Sequence, residues 1–275
     1  MTPFVSLAAA YGTELIGETI EASVGGRRAR YAGSPVNLIK FLLPAHISGL
    51  AIGMLLYAAE NVAAIAFAAA TAMASKYVFR VVVGTGEGGR PTFRHFLNPS
   101  NFGITVTLLL FSTVGIAPPY QFTENTSGII DWVLPLIIIC TGSYLNTKAT
   151  GRIPLIIAWV SAFALQAILR STIHESPLTA ALLPMTGFAF ILFTFYMITD
   201  PATSPSKTAS QVCFAIAVAA FYALFMELHI VFGLFYALTL VTAARGVCLF
   251  MSRPYQRPAW RPLSIRPTAG MTPAE

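Results

Sequence analysis

Eight long apolar stretches, joined by connections that alternate between strongly basic and nearly free of positive charge, constrain this chain more than any other feature. They lie near residues 39–59, 62–83, 102–118, 129–146, 153–170, 178–199, 209–226 and 229–250. With both chain ends on one side, the connections on that side hold Arg27, Arg28, Arg30 and Lys40, then Lys76, Arg80, Arg90 and Arg94. They also hold Lys148, Arg152, Lys207, Arg245 and the four arginines beyond residue 252, which leaves only Arg170 of the 17 basic residues on the other side. Lys and Arg near span ends are retained on the cytoplasmic face, so the skew sets an orientation as well as a topology. At about 20 residues per crossing of a ~30 Å hydrocarbon layer, 275 residues hold eight spans and no large soluble domain. The expected fold is an all-α polytopic integral membrane protein of about eight transmembrane helices. Both termini are expected in the cytoplasm, and a bacterial inner membrane is the expected location.

Charged residues make up 10% of the chain, against roughly 25% in a soluble domain. The net charge of +6 is carried at membrane-flanking positions. Anionic lipid head groups are therefore the expected partner, and nucleic acid is not. Three segments follow. Residues 1–35 form a cytoplasmic or interfacial segment, in which 4–23 can make an amphipathic helix lying in the membrane surface. Residues 36–250 form the membrane domain. Residues 251–275 form a basic tail whose repeated Arg-Pro pairs cannot continue a helix. Cys140, Cys213 and Cys248 lie in apolar runs without metal-ligand spacing. They read as small buried hydrophobes, and no metal site is expected.

The irregular sequence is concentrated in 84–101 and 199–208, each after the second span of a four-span half. Both carry an amide or acid, then proline, then a small residue: Asn98-Pro99-Ser100 and Asp200-Pro201-Ala202. That parallel points to two related halves, about 36–146 and 151–250, with a ligand site at the repeat interface. Irregular backbone at membrane depth must line a protein cavity, so re-entrant half-helices are an alternative to full spans here.

Gly84-Thr85-Gly86-Glu87-Gly88-Gly89 matches G-x-G-x-x-G after three valines. No helix start or βαβ unit follows, so a dinucleotide turn is set aside. Gly86 still permits close backbone approach to a ligand. Pro99 pre-sets a first helical turn and Asn98 is a natural cap, a start that aims free N–H donors at whatever precedes it. Asp200 and Pro201 end an apolar run, and Thr203 and Ser204 offer hydroxyls. Asp200 is either solvated at a span end or turned toward the repeat interface. His95, beside Arg94, is a candidate for holding a phosphate or quinone head group. His46, within the first span, either bonds a neighbouring carbonyl or carries a proton. Glu60, Asp131, Glu175 and Glu227 sit at the outer span ends. No catalytic constellation is recognised, so the catalytic residues stay unassigned.

Leu97-Asn98-Pro99 after a glycine-rich stretch, followed about a hundred residues later by Asp200-Pro201-Ala202-Thr203-Ser204, resembles a known family over roughly residues 36–250. That family comprises the D subunit of the Rnf electron-transport complex and the B subunit of the sodium-pumping NADH:quinone reductase (RnfD/NqrB-like). The brevity of the chain is closest to its short members, including the membrane protein encoded beside enediyne polyketide synthases. The resemblance implies a flavin, FMN or riboflavin, held in a helical bundle, with electron transport alongside other subunits and ion transport in the large complexes. The long members attach FMN to the last Thr of an acidic-x-x-[ST]-x-A-T sequence. Thr150 stands at the corresponding point, but Tyr144 replaces the acid, so a non-covalent flavin is expected. Trp132, Trp159, Tyr144, Tyr196 and Tyr222 supply aromatic faces for its ring.

The expected role is therefore a membrane-embedded, flavin-associated electron-transfer subunit of a larger redox complex, with quinone as a candidate partner. Asn98, Pro99, Ser100, Asp200, Pro201, Thr203 and Ser204 are expected to line its site. A small-solute or ion carrier, and a structural subunit without cofactor, are the alternatives.

Overall fold

The computed structural model describes residues 1–85, 91–118 and 127–252. Ten α-helices dominate it: α1 Thr2–Val24, α2 Pro35–Leu55, α3 Val62–Val78, α4 Pro99–Leu110, α5 Ile130–Leu145, α6 Ile153–Ile173, α7 Leu178–Leu182, α8 Phe188–Leu192, α9 Thr208–Glu227 and α10 Gly233–Met251. Wider, π-helical turns extend α5 over Asn146–Thr150 and α8 over Phe193–Met197. Two short antiparallel pairs complete the described residues. β1 (Leu56–Tyr57) meets β4 (Gly115–Ile116), and β2 (Arg80–Thr85) meets β3 (Pro91–His95).

Among the described residues five helices are long and apolar enough to cross a membrane: α2, α5 with its extension, α6, α9 and α10. Their outer surfaces carry large exposed apolar side chains, among them Leu43, Leu136, Ile137, Ile157, Leu165, Ile216 and Leu240. So much unpartnered apolar surface is foreign to a water-soluble monomer and ordinary against lipid. The chain is an all-α integral membrane protein.

Eight full spans are not what folds. The expected 62–83 stretch stops being helical at Val78, because Val81-Val82-Val83 is a β-branched run that joins β2 and pairs with β3. The 102–118 stretch yields only α4, whose 12 residues reach about 18 Å. Its remainder supplies β4. The 178–199 stretch breaks at Gly187, with its two parts bent by 63°.

Residues 2–24 do not lie across the bundle end. α1 runs lengthwise between α2 and α3. Pro3 and Ser6 pack on Gly53, and Leu7 and Ala10 on Gly49, so these two glycines, four apart on α2, let the backbones close up. At the other end of α1, Gly17 lies against the Tyr77 ring and Glu14 reaches Lys76. Met1 therefore sits where α2 ends and α3 begins, whereas α10 finishes beside Phe96, next to the Arg94–Ser100 segment. Met1 and Ser252 thus lie toward opposite ends of the helix bundle. The tail beyond Ser252 lies outside the described residues.

The interior is aromatic and small-residue rich. Trp159, Phe163, Phe190, Phe193 and Tyr222 form one ring-to-ring cluster. Gly103 of α4 is seated on the Ala68 carbonyl and Ala72 of α3. The three cysteines are exposed on the outer surface instead of buried, since lipid leaves no reason to hide a weakly polar thiol.

Candidate functional site

α4 begins as its sequence dictates. Pro99 occupies the first turn, and the Asn98 side-chain oxygen accepts from the Asn101 N–H at 3.0 Å and the Ser100 hydroxyl at 3.0 Å. The amide nitrogen of Asn98 faces the opposite way. It donates to the Met197 carbonyl at 3.2 Å and, at 3.4 Å, to Asp200 Oδ2. The two proline motifs, 102 residues apart, thus meet at one point.

Asp200 and Pro201 follow the end of the helical run at Met197 and start no new helix. Asp200 organises a five-residue turn instead. Oδ1 accepts from the Ala202 N–H at 3.0 Å, Oδ2 from the Thr203 hydroxyl at 3.0 Å, and the carbonyl from the Ser204 N–H and hydroxyl at 2.9 and 2.7 Å. Asp and Asn favour such turns because the short side chain reaches the backbone two residues on. Pro201 is exposed, while Thr203 and Ser204 are buried beneath it.

Three guanidinium groups converge on this turn from three elements. Arg94 at the end of β3 donates to the Pro201 carbonyl at 2.9 Å, and Arg245 of α10 to the Thr203 carbonyl at 2.8 Å. Arg152, the cap of α6, donates to the Ser204 hydroxyl at 2.8 Å and to the Thr150 carbonyl at 3.0 Å. Burial pushes the Arg152 guanidinium below its ordinary value, Arg94 adds to that, and Asp200 opposes it. Thr150 is brought to the site only through Arg152; its own hydroxyl donates to Asn146 Oδ1 at 2.9 Å.

His95 stands between this turn and a second polar region. Burial lowers its pKa, the Asp200 carboxylate works against that shift, and Lys76 and Arg94 reinforce it. The imidazole lines a cavity of about 440 Å³ together with Glu14, Glu21, Arg27, Arg30, Lys76, Tyr77 and Arg80. Glu14 meets Lys76 at 2.5 Å, and its other oxygen is buried without a partner. The fully buried Glu18 side chain pairs with Arg27 and Arg30 at 2.5 and 2.8 Å, and Glu21 pairs with Arg80 at 2.5 Å.

This acidic network was not anticipated from the sequence. Its signal was present, because Glu14, Glu18 and Glu21 follow the i, i+4, i+7 spacing of one helix face. The arginine cluster had no such signal, since its members come from distant positions. Gly86 lies outside the described residues. His46 bonds the Tyr11 hydroxyl at 2.5 Å, not a carbonyl. Of the aromatic candidates, Trp132 and Tyr144 face outward, Tyr196 bonds Thr141 at 2.8 Å, and Trp159 and Tyr222 are consumed in the core cluster. The lone outer arginine, Arg170, pairs with Glu227 at 3.2 Å. Among the described residues no group of three His, Cys, Asp or Glu is placed to hold a metal ion. No protein-family model matches the chain, and no curated protein matches it.

Proposed function

We propose that this chain is a membrane-embedded electron-transfer subunit of a larger redox complex, holding a non-covalent FMN or riboflavin where the Asn98 and Asp200 segments meet. The observation that carries this reading is the contact of Asn98 with Met197 and Asp200, which joins the two family-like motifs at one place. Ser100, Thr203 and Ser204 supply hydroxyls there, and Arg94 and Arg245 supply cationic donors. A bound flavin would provide one- and two-electron chemistry; the protein's part is to bind and orient it and to pass electrons to partner subunits or a quinone. In this reading the arginine-rich end faces the cytoplasm of a bacterial inner membrane, in contact with anionic lipid. The two halves, 36–146 and 151–250, each contribute one motif, and α3, α4 and the bent α7–α8 pair act as the shorter or broken members of an eight-element membrane domain.

The test is the visible spectrum of detergent-purified protein. Flavin bands that disappear in Asp200→Ala support the reading, and a colourless preparation refutes it. Fluorescence that survives denaturation would place the flavin on Thr150 instead. A cofactor-free structural subunit is the second reading, favoured by the Asp200 oxygens being already occupied by the chain's own donors. Solute or ion flux in proteoliposomes, absent for a structural subunit, separates it from the carrier alternative.

A further inference from the structure

We propose that Arg94, Arg152 and Arg245, gathered on the Asp200–Ser204 turn, form a receptor for a phosphoryl anion at the basic end of the bundle. The proposal stands whether or not a flavin binds. The three side chains come from β3, the α5–α6 linker and α10, yet each donates to the same turn. A guanidinium carries five N–H donors. Arg94 and Arg245 each spend one donor nitrogen on the protein and Arg152 spends two, so most of their donors remain unassigned.

The charge balance points the same way. One carboxylate, Asp200, serves the cluster, and its oxygens already accept from Asn98, Ala202 and Thr203. Every ion pair among the described residues lies elsewhere, so no described carboxylate sits within 4.0 Å of these three arginines. Arg152 is only 6% exposed, and a guanidinium buried that far with no described carboxylate paired directly to it is costly. Exposure rises from Arg152 through Arg245 to Arg94, which leaves an approach from water. The nearby α1 network differs: there four cations face three acids.

Forked donors from several directions suit the tetrahedral, multiply charged phosphoryl group better than a planar carboxylate. Two sources present that chemistry here, a soluble phosphate ester and a phospholipid head group. The experiment uses the full chain in nanodiscs of neutral lipid. Inorganic phosphate is titrated against chloride at equal ionic strength, and thermal stability is read. In a second arm phosphatidylglycerol replaces part of the neutral lipid. A rise in melting temperature with phosphate identifies a soluble ester site, and a rise only with phosphatidylglycerol identifies a head-group site. Arg94→Gln and Arg245→Gln, which spare the buried Arg152, should each weaken the effective arm by roughly 10- to 100-fold, the range of one charge-assisted hydrogen bond. The proposal is overturned if neither arm exceeds its control, or if both variants respond as the wild type does.

Discussion

Asn98 makes the closest quantitative test of how the site is built, because its two ends do separable work. Asn98→Ala removes the α4 cap, at about 1 kcal/mol, and one of two donors to the Met197 carbonyl, which keeps the Asp200 N–H at 3.3 Å, so that hydrogen bond adds about 0.5–1.5 kcal/mol. The expected loss is about 1.5–2.5 kcal/mol. Asn98→Ser keeps an oxygen for the Asn101 N–H but has no amide to reach Met197, so it should recover about 1 kcal/mol of that loss. The 3.4 Å contact to Asp200 is long for a hydrogen bond, so it contributes the smaller share, about 1 kcal/mol of coupling. Unfolding by SDS titration in mixed micelles, applied to Asn98→Ala, Asp200→Ala and the double variant, reads these values directly. If the two losses add to within about 0.5 kcal/mol, the motifs are neighbours without being linked. If Asn98→Ser also matches the wild type, the bridging role assigned to the amide is wrong.

Glu18→Gln should cost roughly 1–3 kcal/mol in the same assay; the loss is moderated because Arg27 and Arg30 are 29% and 60% exposed and regain water. Stability should also decline as pH falls below about 6.5. The unfolded chain protonates His95 near that value and the folded chain only at lower pH, so the unfolded state holds more protons there. A pH series on His95→Gln should show a flatter decline, and an unchanged one would contradict the assignment. For topology, Thr2→Cys and Ser252→Cys in a background with the three native cysteines replaced should label from opposite sides of sealed vesicles. The native cysteines should react with lipophilic maleimides and not with charged ones.

The legible part of the sequence was what lipid and helix starts dictate. Apolar runs and Asn98-Pro99 needed no partner to be read: one reports solvent, the other a local hydrogen bond. Hydropathy failed where local preference competed with it. Val81-Val82-Val83 counts as membrane-apolar, but its β-branched side chains fit a strand opposite Phe93 and Arg94 equally well. At Gly187 a mid-run glycine broke a span that composition alone drew as continuous. The packing of α1 between α2 and α3 was not legible in its three acids, since the cations that meet them lie up to 62 residues away. Gly49-x-x-x-Gly53 was the readable sign that a further helix packs on α2.

That placement of α1 changes what the basic residues mean. Arg27, Arg30, Lys76 and Arg80 pair with Glu14, Glu18 and Glu21, which offset three of their four charges. They therefore add little to the field that lipid head groups feel, even though they enter the orientation count at full weight. The four arginines beyond residue 252 lie outside the described residues. Without those two groups, the described cations without a carboxylate partner at this end are Arg28, Lys40, Lys148 and Lys207, with the Arg94, Arg152 and Arg245 cluster. All seven stand on the α10 side of the bundle and none at the Met1 end. These seven cations therefore carry the charge skew of α2 to α10, whereas α1 takes its direction from Glu14, Glu18 and Glu21 in its C-terminal half.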